Sequence, residues 1–179
     1  PDHVYDLLVG HEVGHALFTP TSEKRLKKAY KKSSKACVNI IEDGRIEVMV
    51  KKRYPGLRKQ FYKGYDHLME QDFFGIADTD LSESNILDKM NLYLKVPTHV
   101  DVSFNKEEQV FVDRLDSLRT FKDVEELAEE VYAYALDQQG DMIPQTTQEF
   151  PPNSNSMETV NDMPQESAEG DESPEETET

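Results

Sequence analysis

His11, Glu12 and His15 stand in the run His11-Glu12-Val13-Gly14-His15. On an α-helix, residues four apart lie on one face, one turn from each other. Two imidazoles so placed can share one Zn2+ at bond lengths of about 2.0–2.1 Å. Glu12 is rotated by about 100° from that face, close enough to touch a metal-bound water without ligating the metal. The trio therefore suits hydrolysis of a peptide bond by a zinc-bound water, with Glu12 as the general base that takes its proton. An HExxH run also arises by chance, so its setting matters. Here it is flanked by Val4, Leu7, Leu8, Ala16, Leu17 and Phe18. A helix so apolar reads as buried, and buried histidines need partners. The plain alternative is a pair of core histidines satisfied by hydrogen bonds.

A zinc centre needs a third protein donor, and the segment after residue 33 offers one. On a helical wheel with Val38 at 0°, Met49 falls at about 20°, Glu42 at about 40° and Ile46 at about 80°. Glu42 thus lies in an apolar arc, where a carboxylate wants a cation. The reading is that Glu42 ligates the metal; the competing one is a salt bridge to Arg45, three residues on. Asn39 and Asp43, at about 100° and 140°, flank Glu42 and could orient the histidines from behind. Glu47, at about 180°, is expected to point away. His67 is the rival third ligand, since three-histidine sites exist, but its KGYDHL surroundings give it no special placement. His3 and His99 read as surface residues.

These side chains need helices to hold them. Residues 3–18 carry apolar positions spaced by three and four, and Pro20 ends that helix. Ser22 is placed to cap a second, basic helix, and Ser33 or Ser34 a third that runs to about Arg53 before Tyr54-Pro55-Gly56. A fourth is expected over 57–73, a loop over 75–84, a fifth helix over 85–95 and a short extended stretch over 98–104. Asn105 caps a sixth to about Leu118, and Thr120 a seventh to about Gln139, which Gly140 ends. The fold class is therefore mainly α, and the HExxH run makes the expectation for 1–139 a zincin-like helical metallopeptidase domain.

Charge divides the chain at the same place. The 179 residues hold 36 acids and 20 bases, a net of -16. Residues 140–179 hold eleven of those acids and no Lys or Arg, which leaves 25 acids against 20 bases, or -5, in 1–139. The tail is also rich in Pro, Ser, Thr, Asn and Gln, and reads as a disordered acidic tail or linker. Within the body, residues 24–63 carry fourteen bases and three acids, a local +11. Such a strip could grip phosphates, dock the tail or simply be a solvated face. One cysteine, Cys37, excludes an internal disulfide and a cysteine-based zinc site. No apolar run approaches the length of a membrane span, and no signal-peptide pattern opens the chain. The start at Pro1, already inside a helix, and the acidic end suggest a piece of a longer protein.

HEVGHALFTP followed by VNIIEDGRIE resembles the zinc metallopeptidase module found beside a von Willebrand factor A domain in the CobT-like and MoxR-associated group, of a kind carried by large tailed phages. The resemblance covers about residues 5–139, and its specific part is the pair of motifs at 11–15 and 39–47. The NLYLK run and the acidic linker fit the same layout. It implies His11 and His15 as ligands, Glu12 as base, and Glu42 as the acid supplied by the NxxED stretch. It also implies a von Willebrand factor A domain and an AAA ATPase as partners, and a cytoplasmic site of action in a bacterial host. No von Willebrand domain or DxSxS motif is present in this sequence. The leading expectation is a zinc metallopeptidase acting on protein or peptide. The alternatives are a non-catalytic interaction module with a structural metal site, and nucleic-acid association through the basic helices.

Overall fold

The computed structural model describes residues 2–76, 81, 84–96 and 101–139, and among them it contains seven α-helices and no strand. They are α1 (Asp2–Phe18), α2 (Glu23–Lys32), α3 (Lys35–Arg53), α4 (Leu57–Glu70), α5 (Ile86–Lys95), α6 (Lys106–Leu115) and α7 (Phe121–Gln139). The mainly α expectation holds. The acidic segment 140–179 and His99 lie outside the described residues, as does most of the first half of the expected extended stretch; residues 101–105 form no strand.

Local chemistry sets the helix starts. The Ser22 hydroxyl accepts from the Arg25 amide, and Ser34 from Cys37. Asn85 caps α5 through the amides of Leu87 and Asp88. Asn105 and Glu108 form a reciprocal capping box at α6. At α7, Thr120 and Asp123 exchange side-chain and backbone bonds in the same manner. Each such cap is worth about 1 kcal/mol. Two helices stop short of expectation. After Glu70 the chain turns left-handed at Asp72 (φ 49°) and Gly75 (φ 64°), which releases Phe73 and Phe74 from α4. The chain after Leu115 turns at Asp116–Ser117, so Leu118 lies outside α6.

α3 is the central element and touches every other helix. Its residues Cys37, Val38, Ile40 and Ile41 join Val124, Leu127, Ala128 and Val131 of α7 and Leu87 and Met90 of α5 in the larger apolar cluster. A second cluster gathers Leu7 of α1, Val50 of α3, Phe61 and Tyr65 of α4, and Leu92 of α5. The seat of α1 depends on two missing side chains. A Cβ on Gly10 would lie 2.7 Å from the Phe61 ring, and one on Gly14 would lie 2.8 Å from Ile46 Cδ1. Glycine at these positions lets α1 settle against α4 and α3 at once.

Five of the fourteen bases in the strip, Arg25, Lys27, Lys32, Arg45 and Lys51, pair with acids of the fold among the described residues. Arg25 and Lys32 tie α2 to Glu125 and Glu129 of α7, and Lys27 pairs with Glu23. Arg45 is buried, and Lys51 pairs with Glu47.

Candidate metal centre

α1 turns its His11/His15 face onto α3. His11 Nε2 and His15 Nε2 lie 3.2 Å apart. Asp43 Oδ1 lies 3.2 Å from His15 Nε2 and 3.6 Å from His11 Nε2. These three atoms form a nearly equilateral triangle. Tetrahedral donors bonded to zinc at about 2.0–2.1 Å are separated by about 3.3–3.4 Å, so the triangle has the size of one face of such a polyhedron.

The other ring nitrogens assign the tautomers. His11 Nδ1 lies 3.2 Å from Glu47 Oε1, and a carboxylate can only accept, so Nδ1 carries the proton. His15 Nδ1 lies 2.9 Å from Thr19 Oγ1, whose own hydrogen goes to Glu42 Oε1 at 2.6 Å. That hydroxyl therefore accepts from His15 Nδ1. Asp43 Oδ1 can likewise only accept, so either a proton on His15 Nε2 or a cation in its place must lie between them, and a cation there would meet a lone pair on each Nε2. Three acceptors aimed at one small volume call for a proton or a cation between them, and this donor set fits zinc.

The electrostatics run the same way. Burial opposes charge on His15, but the hydrogen bond and charge of Asp43, with the fields of Glu42 and Glu12, raise its pKa. Burial likewise opposes charge on Asp43, yet the His15 hydrogen bond, Lys95 and both imidazoles hold its pKa below the usual carboxylate range. Glu47 is depressed too: burial is outweighed by the His11 hydrogen bond, Lys51 and Tyr65. The Tyr65 hydroxyl donates to Glu47 Oε1, and burial together with that carboxylate's charge pushes its own pKa well up. His11 is 3% exposed while the His15 side chain is 28% exposed, so the cluster opens to solvent on the His15 side.

On α3 the side chains are placed differently from the leading expectation, and the competing salt bridge of Glu42 to Arg45 is formed. Glu42, expected as the third ligand, is held bidentately by Arg45, with Nε to Oε2 and Nη2 to Oε1 both at 2.7 Å. Arg45 also donates to the carbonyls of Phe18 and Arg119, at 2.8 and 3.3 Å, so the pair pins the end of α1 and the α6–α7 turn to α3. Glu42 thus reaches His15 only through Thr19. Asp43, expected behind the histidines, brings its oxygen to them, and Glu47, expected to point away, is buried against His11. The wheel assumed one buried face, whereas α3 is buried nearly all round, so an apolar arc does not identify the face that meets α1. Asn39 sits one turn before Asp43, half-buried. Glu12 is half-buried beside the cluster. His67 lies at the end of α4 with Nδ1 3.6 Å from Glu70 and outside the cluster.

Thr19, Glu47, Tyr65 and Lys95 were not anticipated. A signal for Glu47 existed: Asp43 and Glu47 repeat the i, i+4 spacing of His11 and His15, as two facing helix stripes would. No family model matches the chain, and no curated protein or solved structure is significantly similar to it.

Proposed function

We propose that this chain is a zinc-dependent metallopeptidase domain, with His11, His15 and Asp43 as protein ligands and Glu12 as general base. The observation that carries the reading is the convergence of two imidazole nitrogens from the HExxH run of α1 and one carboxylate oxygen from α3, all within 4.8 Å of one another. Zinc, when bound, supplies a Lewis acid for a peptide carbonyl and for water. The chain's part is to hold both imidazoles in the Nδ1–H tautomer, through Glu47 on one side and Thr19–Glu42 on the other. Glu12 follows His11 on the same turn, off the ligand face, where its carboxylate can take a proton and return it to the leaving amine.

The test has two measurements on the purified chain. Metal analysis should find about one zinc per chain. Glu12→Gln should keep that zinc and lose all hydrolysis of an unfolded protein substrate, because it preserves volume and removes the base. A metal-free wild-type chain that takes up no zinc, or a Glu12→Gln variant as active as wild type, would end the peptidase reading.

A second reading has its own support. Tyr5, Val9, Val13 and Leu17 stand exposed along the outer face of α1, a continuous apolar stripe of the kind that docks another protein. A chain that binds zinc yet cleaves nothing would favour that role, with the metal as a structural element. Nucleic-acid binding has less behind it, because Arg25, Lys27, Lys32, Arg45 and Lys51 are paired with acids of the fold.

A further inference from the structure

Lys95 is the last residue of α5, a place where a lysine can ordinarily reach solvent. Its side chain is instead 4% exposed, with Nζ 3.2 Å from Asp43 Oδ2. The neighbouring contact explains how it gets there. Gly44 faces Leu94 so closely that an added Cβ would lie 2.8 Å from Leu94 Cδ2, and this approach of α5 to α3 brings Lys95 beside Asp43. Burying an ammonium is costly unless a counter-charge meets it, and here that counter-charge is the carboxylate of the cluster.

The two oxygens of Asp43 are thereby divided. Oδ1 faces His11 and His15, and Oδ2 is held by Lys95. A carboxylate with both oxygens available can chelate a cation through both. With an ammonium on Oδ2, chelation would require breaking a buried ion pair. We infer that Lys95 is a positioning residue that restricts Asp43 to single-oxygen ligation. It biases the site toward a small four-coordinate, nitrogen-accepting ion and against ions such as Mn2+ that favour more oxygen donors. The inference rests on the reading of His11, His15 and Asp43 as a metal centre.

The experiment loads wild type, Lys95→Met and Lys95→Gln with Co2+ and records the visible ligand-field spectrum. Chelator competition then gives the Zn2+ and Mn2+ affinities, with circular dichroism as the folding control. Wild type should give the intense bands of four-coordinate cobalt. Lys95→Met removes both charge and hydrogen bond, so Oδ2 should enter the coordination sphere. The bands should weaken toward a five-coordinate pattern, and the preference for Zn2+ over Mn2+ should fall by about tenfold or more. Lys95→Gln keeps a donor for Oδ2 and should retain the wild-type spectrum. A folded Lys95→Met with wild-type bands and an unchanged metal preference overturns the inference. So does a five-coordinate wild-type spectrum, which decides the matter even if Lys95→Met does not fold. A wild-type chain that binds neither Co2+ nor Zn2+ overturns the metal-centre reading and this inference with it, whereas a metal-binding wild type with an indifferent Lys95 overturns the inference alone.

Discussion

α3 has two working faces, and they are built on opposite principles. Toward α7 it presents Cys37, Val38 and Ile41 to Val124, Leu127, Ala128 and Val131 in a seam of apolar side chains. Toward α1 it presents Asp43 and Glu47 to His11 and His15, with Lys51, Lys95 and Tyr65 closing the rim. The apolar seam gains from area, at about 25 cal/mol for each Å² removed from water. The polar seam gains little net stability, because desolvation offsets most of what its ion pairs return. Its carboxylates are held in a charged, oriented state that an apolar seam cannot supply. Glu42 and Arg45 form a hinge pin between the two: the pair looks like part of the site in sequence and behaves as a structural clamp.

The largest expected contrast separates ligands from clamp. On the proposed reading, His11→Ala, His15→Ala and Asp43→Asn each abolish stoichiometric zinc. Glu42→Gln keeps it, as equilibrium dialysis against zinc would show. Glu42→Ala should act on stability instead, lowering it by about 3–5 kcal/mol in a denaturant melt because Arg45 is left buried without its counter-charge. A Glu42→Ala protein of normal stability that no longer binds zinc would return the third-ligand role to Glu42.

The next contrast lies within the polar seam. Glu47→Gln can no longer hold His11 through a charged acceptor, and zinc affinity should fall by about 10- to 100-fold with the fold intact. Tyr65→Phe, which removes a donor to the same oxygen, should cost less. Acid tests the seam as a whole. The pKa values of Asp43 and Glu47 are depressed in the folded chain, so their contribution is present at neutral pH and is lost as pH falls through those lowered values. In metal-free protein the acid limb of a stability–pH curve should flatten in Glu47→Gln.

Cys37 reports on the other seam. Its thiol donates to the Ala128 carbonyl at 3.3 Å, and burial pushes its pKa up to about 12. A thiol reagent at neutral pH should leave it unmodified until the chain unfolds. Chelator treatment should not speed the labelling, because the apolar seam does not depend on the metal. Labelling that accelerates when metal is removed would mean the two faces of α3 are one cooperative unit.

The residues that were legible are those governed by local rules. Ser22, Asn105 and Thr120, and Ser34 of the pair Ser33 or Ser34, each start a helix through bonds to amides two or three residues away, so short-range chemistry announces them, while Asn85, read as the first residue of its helix, caps it instead. The His11/His15 pair was legible because both members sit on one helix. Glu42 was preferred to the adjacent Asp43 because the wheel put it in an apolar arc, a criterion that says nothing of which face meets α1. Which of them meets α1 depends on the rotation of α3, and that is fixed by the Gly14–Ile46 and Gly44–Leu94 approaches and by packing on α7. Lys95 was invisible for the same reason: its meaning comes from Asp43, 52 residues away.

The smallest effect concerns the acidic segment 140–179. Its eleven carboxylates have no base among them. The body's Lys24, Lys28 and Lys31 share one exposed face of α2, at i, i+4 and i+7 spacing, and have no ion pair among the described residues. The attraction between them is of long range only at low salt, since the Debye length is about 30 Å at 0.01 M and about 8 Å at physiological strength. Removing 140–179 should therefore leave the melting temperature and zinc content of the body within error, because the named contacts of both α3 seams are made among residues 7–131. It should strengthen binding to a heparin column at low salt and have no effect near physiological strength. A deletion that unfolds the body would make the segment part of the folded domain and move the boundary beyond Gly140. A deletion that changes heparin retention equally at every salt would require a fixed contact rather than diffuse charge, and the three lysines on α2 would be the first place to look for it by alanine substitution.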